Sequence, residues 1–168
     1  GVYDTQIVYE GDQSLSLISV DRKEVTSYLK KSLDLSNMEF LEFMLHINDV
    51  TAFESMIVEI GDMDMKNYYS YTLSNVSVGW QLIQVPKKQF ASYIDAKSDF
   101  GWNKVQKVQF KLISRADAIL MVRLDMIKVI NSSYIFTKEW KVYNDQEKKF
   151  LSLYLGSDKL GKKFSSRN

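Results

Sequence analysis

Apolar and polar side chains alternate with a period of two through most of the first 130 residues, as in strands with one buried face. Ser14–Val20 (SLSLISV) alternates in this way, and Val25–Leu33 follows as a second strand with Val25, Tyr28 and Leu29 as its bulky members. Residues 38–47 (MEFLEFMLHI) fit a buried helical turn or a strand, because period alone does not separate short apolar runs. Strand neighbours and the abrupt stop at Asn48-Asp49 favour strand. Leu41, Phe43, Leu45 and Ile47 then face one side, and Phe40, Glu42, Met44 and His46 the other. Residues 55–60 send Met56, Val58 and Ile60 inward and Ile57 and Glu59 outward. In residues 67–73 (NYYSYTL), rich in strand-forming aromatics, alternation with Leu73 puts Tyr69 and Tyr71 inside and Tyr68 outside.

Gly79–Pro86 (GWQLIQVP) carries the chain's one proline, and residues 102–112 (WNKVQKVQFKL) read as its partner strand. The connection, residues 87–101, holds a brief helical possibility around 88–93. Residues 118–130 (AILMVRLDMIKVI) form a long apolar strand interrupted by Asp125. Many short strands with turns between them and almost no helix predict an all-β fold, an antiparallel two-sheet jelly-roll sandwich over residues 1–130. The pattern breaks over residues 131–168, where Phe136, Trp140, Tyr143 and Phe150 are scattered among lysines. This C-terminal extension either packs back on the sandwich or begins a further domain.

Charge changes this picture little. The chain has 22 basic and 21 acidic residues, and nothing in that balance points to nucleic acid. Residues 131–168 hold 8 of the basic and 4 of the acidic side chains, so a mildly acidic body carries a basic tail. The absence of cysteine removes disulfides, thiolate catalysis and sulfur-ligated zinc. No apolar run approaches the length of a membrane span. His46 is the single histidine, which leaves little for a transition-metal site or a Ser–His triad. Glu59, Asp62 and Asp64 suggest paired carboxylates, but two of them share one turn, where solvated charge is the ordinary state. The chain opens on Gly1 and reads as part of a longer protein.

The order of features resembles the galactose-binding-like β-sandwich superfamily, the fold of many carbohydrate-binding modules. The resemblance runs over about residues 5–130. It is carried by the strand after Glu-Gly-x-x-Ser-Leu, then Leu-Asp-Leu-Ser, Leu-Glu-Phe-x-Leu, Tyr-Tyr-Ser-Tyr-Thr-Leu, Gly-Trp-x-Leu-Ile-x-Val-Pro, Val-x-x-Val-x-Phe-x-Leu and Val-x-Leu-Asp-x-Ile. Similar domains sit on polysaccharide lyases and phage tail proteins. The resemblance implies a non-catalytic module of a larger secreted, cell-surface or virion-associated protein, with a polysaccharide and an adjacent domain as partners. Its rival is a structural domain that packs on a neighbouring enzyme or tail subunit. Related modules often hold a structural calcium between the last strand and the turn before the first. Glu10, Asp12 and Asp125 are the matching positions for Ca2+ here; the alternative is that Asp125 lies at a bulge and accepts backbone N–H bonds.

A sugar stacks its C–H face on an aromatic ring and needs amides or carboxylates for its hydroxyls. Outward positions that mix these groups are Phe40, Glu42, His46, Glu59, Tyr68, Gln84 and Gln109, with Trp102 at a loop rim beside Asp99 and Asn103. The same residues also fit a covered second core, with tyrosines and tryptophans as structural anchors. Trp80 in particular is expected to anchor the sandwich.

Overall fold

Alternation is realised as two antiparallel sheets whose inward side chains meet in one core, seen in a computed structural model. It describes residues 3–4, 9, 14–131, 135–136, 140–144 and 149–150. In chain order the strands are β1 (Tyr3–Asp4), β2 (Ser14–Val20), β3 (Val25–Leu33), β4 (Phe40–Ile47), β5 (Phe53–Gly61), β6 (Tyr68–Leu73) and β7 (Gly79–Pro86). They continue with β8 (Ala91–Tyr93), β9 (Val105–Ser114), β10 (Ile119–Ile130), β11 (Ile135–Phe136), β12 (Lys141–Asn144) and β13 (Lys149–Phe150). One sheet has the order β1-β2-β10-β4-β7, with β11 on β10; the other runs β13-β12-β3-β9-β5-β6-β8. No helix among the described residues is long and apolar enough to cross a membrane.

Of residues 38–47, Phe40–Ile47 form a strand. Leu41, Phe43, Leu45 and Ile47 are fully buried against the facing sheet, while Phe40, Glu42 and His46 are part-exposed on the outside. Opposite them, Val108, Phe110 and Leu112 of β9 and Met56, Val58 and Ile60 of β5 complete the interior. Each such side chain contributes about 1.5–3 kcal/mol by leaving water. Phe43 of β4 meets Phe110 of β9 edge-on at 5.2 Å, so the two sheets touch through these strands.

Two expectations are corrected. Gly79–Pro86 and residues 102–112 do not pair: β7 pairs with β4 at the edge of the six-stranded sheet, and β9 lies between β3 and β5 in the other. The connection between them is a crossing from one layer to the other. Residues 88–93 are not an α-helix either, but a 3-10 turn at Lys87–Gln89 and then β8.

The sheets also extend beyond residue 130. Trp140 is completely buried and packs on Phe110 at 5.3 Å, and β12 runs along β3. Of this segment, Trp140 and β12 lie against the sandwich.

Candidate functional site

The two outer faces differ in what they display. On the seven-stranded sheet, register sets Tyr28, Gln109, Glu59 and Ser70 side by side across β3, β9, β5 and β6. The next row, two residues along, is Lys30, Lys107, Gly61, Tyr68 and Tyr93. The first row forms a polar floor. Glu59 is 7% and Gln109 5% exposed, and Gln109 Nε2 donates to Glu59 Oε1 at 2.6 Å. Lys111 Nζ adds a contact to the same oxygen at 3.3 Å and lies 3.7 Å from Glu24. Burial works against the Lys111 charge, but the two carboxylates outweigh it and hold the ammonium above the usual lysine range.

The second row holds the accessible aromatics. Tyr68 and Tyr93 stack at 5.2 Å with 23° between their planes, and Tyr93 is 54% exposed. Their placement comes from the turn between β5 and β6. Asp62 accepts from the Lys66 N–H at 2.9 Å and from Asn67 Nδ2 at 2.9 Å. Asn67 Oδ1 in turn accepts from the Asp95 N–H at 2.8 Å. One amide therefore ties the residue before Tyr68 to the segment just after Tyr93. Gly61 is required at this turn, since a Cβ there would lie 2.7 Å from the Asn67 carbonyl oxygen and from Tyr68 Cβ.

Beyond this row, at the rim, opens a cavity of about 650 Å³ lined among others by Ser32, Asp34, Asp62, Asp99, Asn103 and Gln106. Gln106 and Asp62 adjoin Lys107 and Gly61, so rim and row are continuous. Under the rim, Trp102 stacks on Tyr69 at 3.8 Å and 4°, with Phe90 edge-on at 5.6 Å. Trp102 is only partly buried, and Lys87 Nζ lies 5.4 Å from the centroid of its ring.

The outer face of the six-stranded sheet is a different surface. Glu42 accepts from Gln84 Nε2 at 2.7 Å and pairs with Lys128 at 3.4 Å. His46 and Tyr9 both meet Trp80 edge-on, at 5.1 and 5.7 Å. Trp80 therefore lies outward, not in the core as expected. A cavity of about 310 Å³ opens between Tyr9, Met44, Leu82 and Lys128, and Leu82 is 53% exposed.

The outward residues named from sequence are thus divided. Phe40, Glu42, His46 and Gln84 lie on one sheet, and Glu59, Tyr68 and Gln109 on the opposite one. Tyr93, Lys30, Lys107 and Asn67 were missed. The alternation Tyr68-x-Ser70 and the exposed Tyr93 before Asp95 carried a signal, but only cross-strand register joins them. Of the calcium positions, Glu10 and Asp12 lie outside the described residues. Asp125 sits where the β10 register shifts, and its carboxylate accepts the Tyr9 N–H at 3.0 Å and the Met126 N–H at 2.8 Å. Among the described residues no group of three or more acidic or histidine side chains is arranged to hold a metal.

This architecture is a two-sheet β-sandwich jelly roll, a fold found also in carbohydrate-binding modules. The chain is similar to a family 30 carbohydrate-binding module, with a TM-score of 0.59 and 19% identity over 77% of this chain and 82% of that one. It is similar also to the family 30 module of a cellulosomal cellulase of Clostridium thermocellum (TM-score 0.58, 20% identity, 79% and 82% covered). A family 11 module from the same organism, solved in complex with a β-1,3-1,4-mixed-linked tetrasaccharide, has a TM-score of 0.54 at 15% identity, with 77% and 83% covered. At these identities the likeness is one of fold. No protein-family model and no curated protein matches the chain.

Proposed function

We propose that this domain is a non-catalytic carbohydrate-binding module of a larger secreted protein and that it holds a polysaccharide on the outer face of its seven-stranded sheet. The observation that carries the reading is the exposed Tyr68–Tyr93 stack beside the buried Glu59–Gln109–Lys111 network. Rings accept the C–H faces of sugars, and the buried amide, carboxylate and ammonium beside them hold this part of the sheet face fixed, so that little ordering cost is met at the moment of binding. The row from Lys30 to Tyr93 crosses five strands, roughly 19 Å, which suits a stretch of polymer better than one sugar. The fold shared with a module bound to a mixed-linked tetrasaccharide supports the same reading. Tethering such a site to a partner domain raises local concentration, which makes a weak affinity effective.

The test is titration of the domain with soluble neutral and acidic polysaccharides. Binding to at least one is expected, and Tyr93→Ala should weaken it roughly tenfold, the scale of one lost stacking contact. Trp80→Ala, on the other sheet, should leave it unchanged. Binding that survives Tyr93→Ala and disappears with Trp80→Ala would move the site to the opposite face. The rival reading, docking against an adjacent domain, draws on the exposed Leu82, Val20 and Ile119 of the six-stranded sheet. It predicts no polysaccharide affinity at all.

A further inference from the structure

Lys30 and Lys107 stand directly opposite each other on β3 and β9. Their ammonium groups lie 5.7 and 4.8 Å from the centroid of one ring, that of Tyr28. Like charges placed opposite across a ladder destabilise a sheet. Nearby cations are treated otherwise: Lys111 lies between Glu59 and Glu24, and on the other sheet Lys128 meets Glu42. Among the described residues neither Lys30 nor Lys107 has a carboxylate within ion-pair distance. Burial, and then the Lys30 charge beside it, push the Lys107 ammonium below the usual lysine range. The Tyr28 ring offsets part of this through its negative face, as do the more distant charges of Glu59 and Asp64, but among the described residues the pair has no carboxylate in direct contact.

The pair lies in the same row as Tyr68 and Tyr93, with only Gly61 between. From β9 to β6 is two strand spacings, roughly 10 Å. A polymer crossing the strands along this row would set one ring on the tyrosines and a neighbouring substituent over the lysines. We propose that this end of the face selects acidic polysaccharides, with Lys30 and Lys107 together taking a carboxylate or sulfate group while Tyr68 and Tyr93 stack the adjoining sugar. The inference rests on the reading of this face as a polysaccharide site.

The experiment titrates the domain with polygalacturonate, dextran sulfate, a neutral mixed-linkage β-glucan and poly-glutamate, the last a polyanion without sugar. An acidic polysaccharide should bind about tenfold or more tighter than the neutral glucan, the scale of a charge-assisted contact. That advantage should fall with added salt. The double variant Lys30→Gln, Lys107→Gln should erase it and leave the melting temperature equal or higher, since a repulsive pair has been removed. Polygalacturonate and dextran sulfate separate a carboxylate site from a sulfate site. If the neutral glucan binds as well as both acidic polymers, the polysaccharide reading stands and the anion inference falls. Equal affinity for poly-glutamate overturns it too, leaving charge alone. Failure of every polysaccharide to bind sinks both.

Discussion

Asp62 shows how a single carboxylate can place two aromatic rings. It is the acceptor for the turn that leads into Tyr68, and through Asn67 it reaches the segment after Tyr93. Partial burial pushes its carboxyl up, but the Asn67 side-chain and backbone N–H groups and the Lys66 N–H outweigh that and hold it below the usual aspartate range. A depressed folded-state pKa gives stability that is present above the unfolded value near about 3.9 and is lost as pH falls through the folded one. Asp62→Ala should therefore cost about 1–2 kcal/mol at neutral pH, the scale of a lost cap. The gap between the melting curves of the two proteins should narrow as pH falls below the unfolded value and on through the lowered folded one. A gap that persists undiminished into acid would mean that the ionised form has no special role.

At the scale of elements, much was legible because burial imposes its period on each strand locally. The 38–47 segment reads as strand from its neighbours, and Leu41, Phe43, Leu45 and Ile47 do face the core. Partnership was not legible in the same way. β7 and β9 both look like strands and follow one another, yet they lie in different layers, because nothing in a local pattern states which sheet a strand joins. For the same reason the outward residues of opposite faces read as one set, and Trp80, expected as an anchor of the sandwich, lies on an outer face against His46.

The interruption at Asp125 was legible as an anomaly, and its cause is a bulge. The inward series Leu120, Val122, Leu124 resumes at Ile127, with Met126 in left-handed backbone at φ 51°. That conformation is costly for a side chain of this kind, and the Asp125 carboxylate steadies it by accepting the Met126 N–H. Asp125→Ala should lower stability by about 1–3 kcal/mol, the penalty for stranding buried donors. The loss should be the same in calcium and in chelator if these N–H bonds are the whole of its work. A loss seen only with calcium present would assign the carboxylate to a metal instead.

For the whole molecule the decisive contact is made by a residue that strand periodicity did not reach. Trp140 follows the last long strand by ten residues, and its ring closes an aromatic series through Phe110 to Phe43 that joins both sheets. Its neighbour β12 also covers the edge of β3 at Val25 to Tyr28, the strand that carries Lys30 and the Tyr28 ring. Cutting the chain after Ile130 removes both. Replacing Trp140 alone by Ala should cost about 3–5 kcal/mol as a core cavity, a large share of the 5–15 kcal/mol that holds a typical domain folded. The truncated chain should fare worse, because an uncovered strand edge offers its backbone to another copy. Denaturant melts of Trp140→Ala and size-exclusion chromatography of residues 1–130 read the two effects separately. A monomeric truncation that unfolds cooperatively at the midpoint of the full chain would show that the sandwich ends at residue 130, and that the segment after it only leans on a finished core.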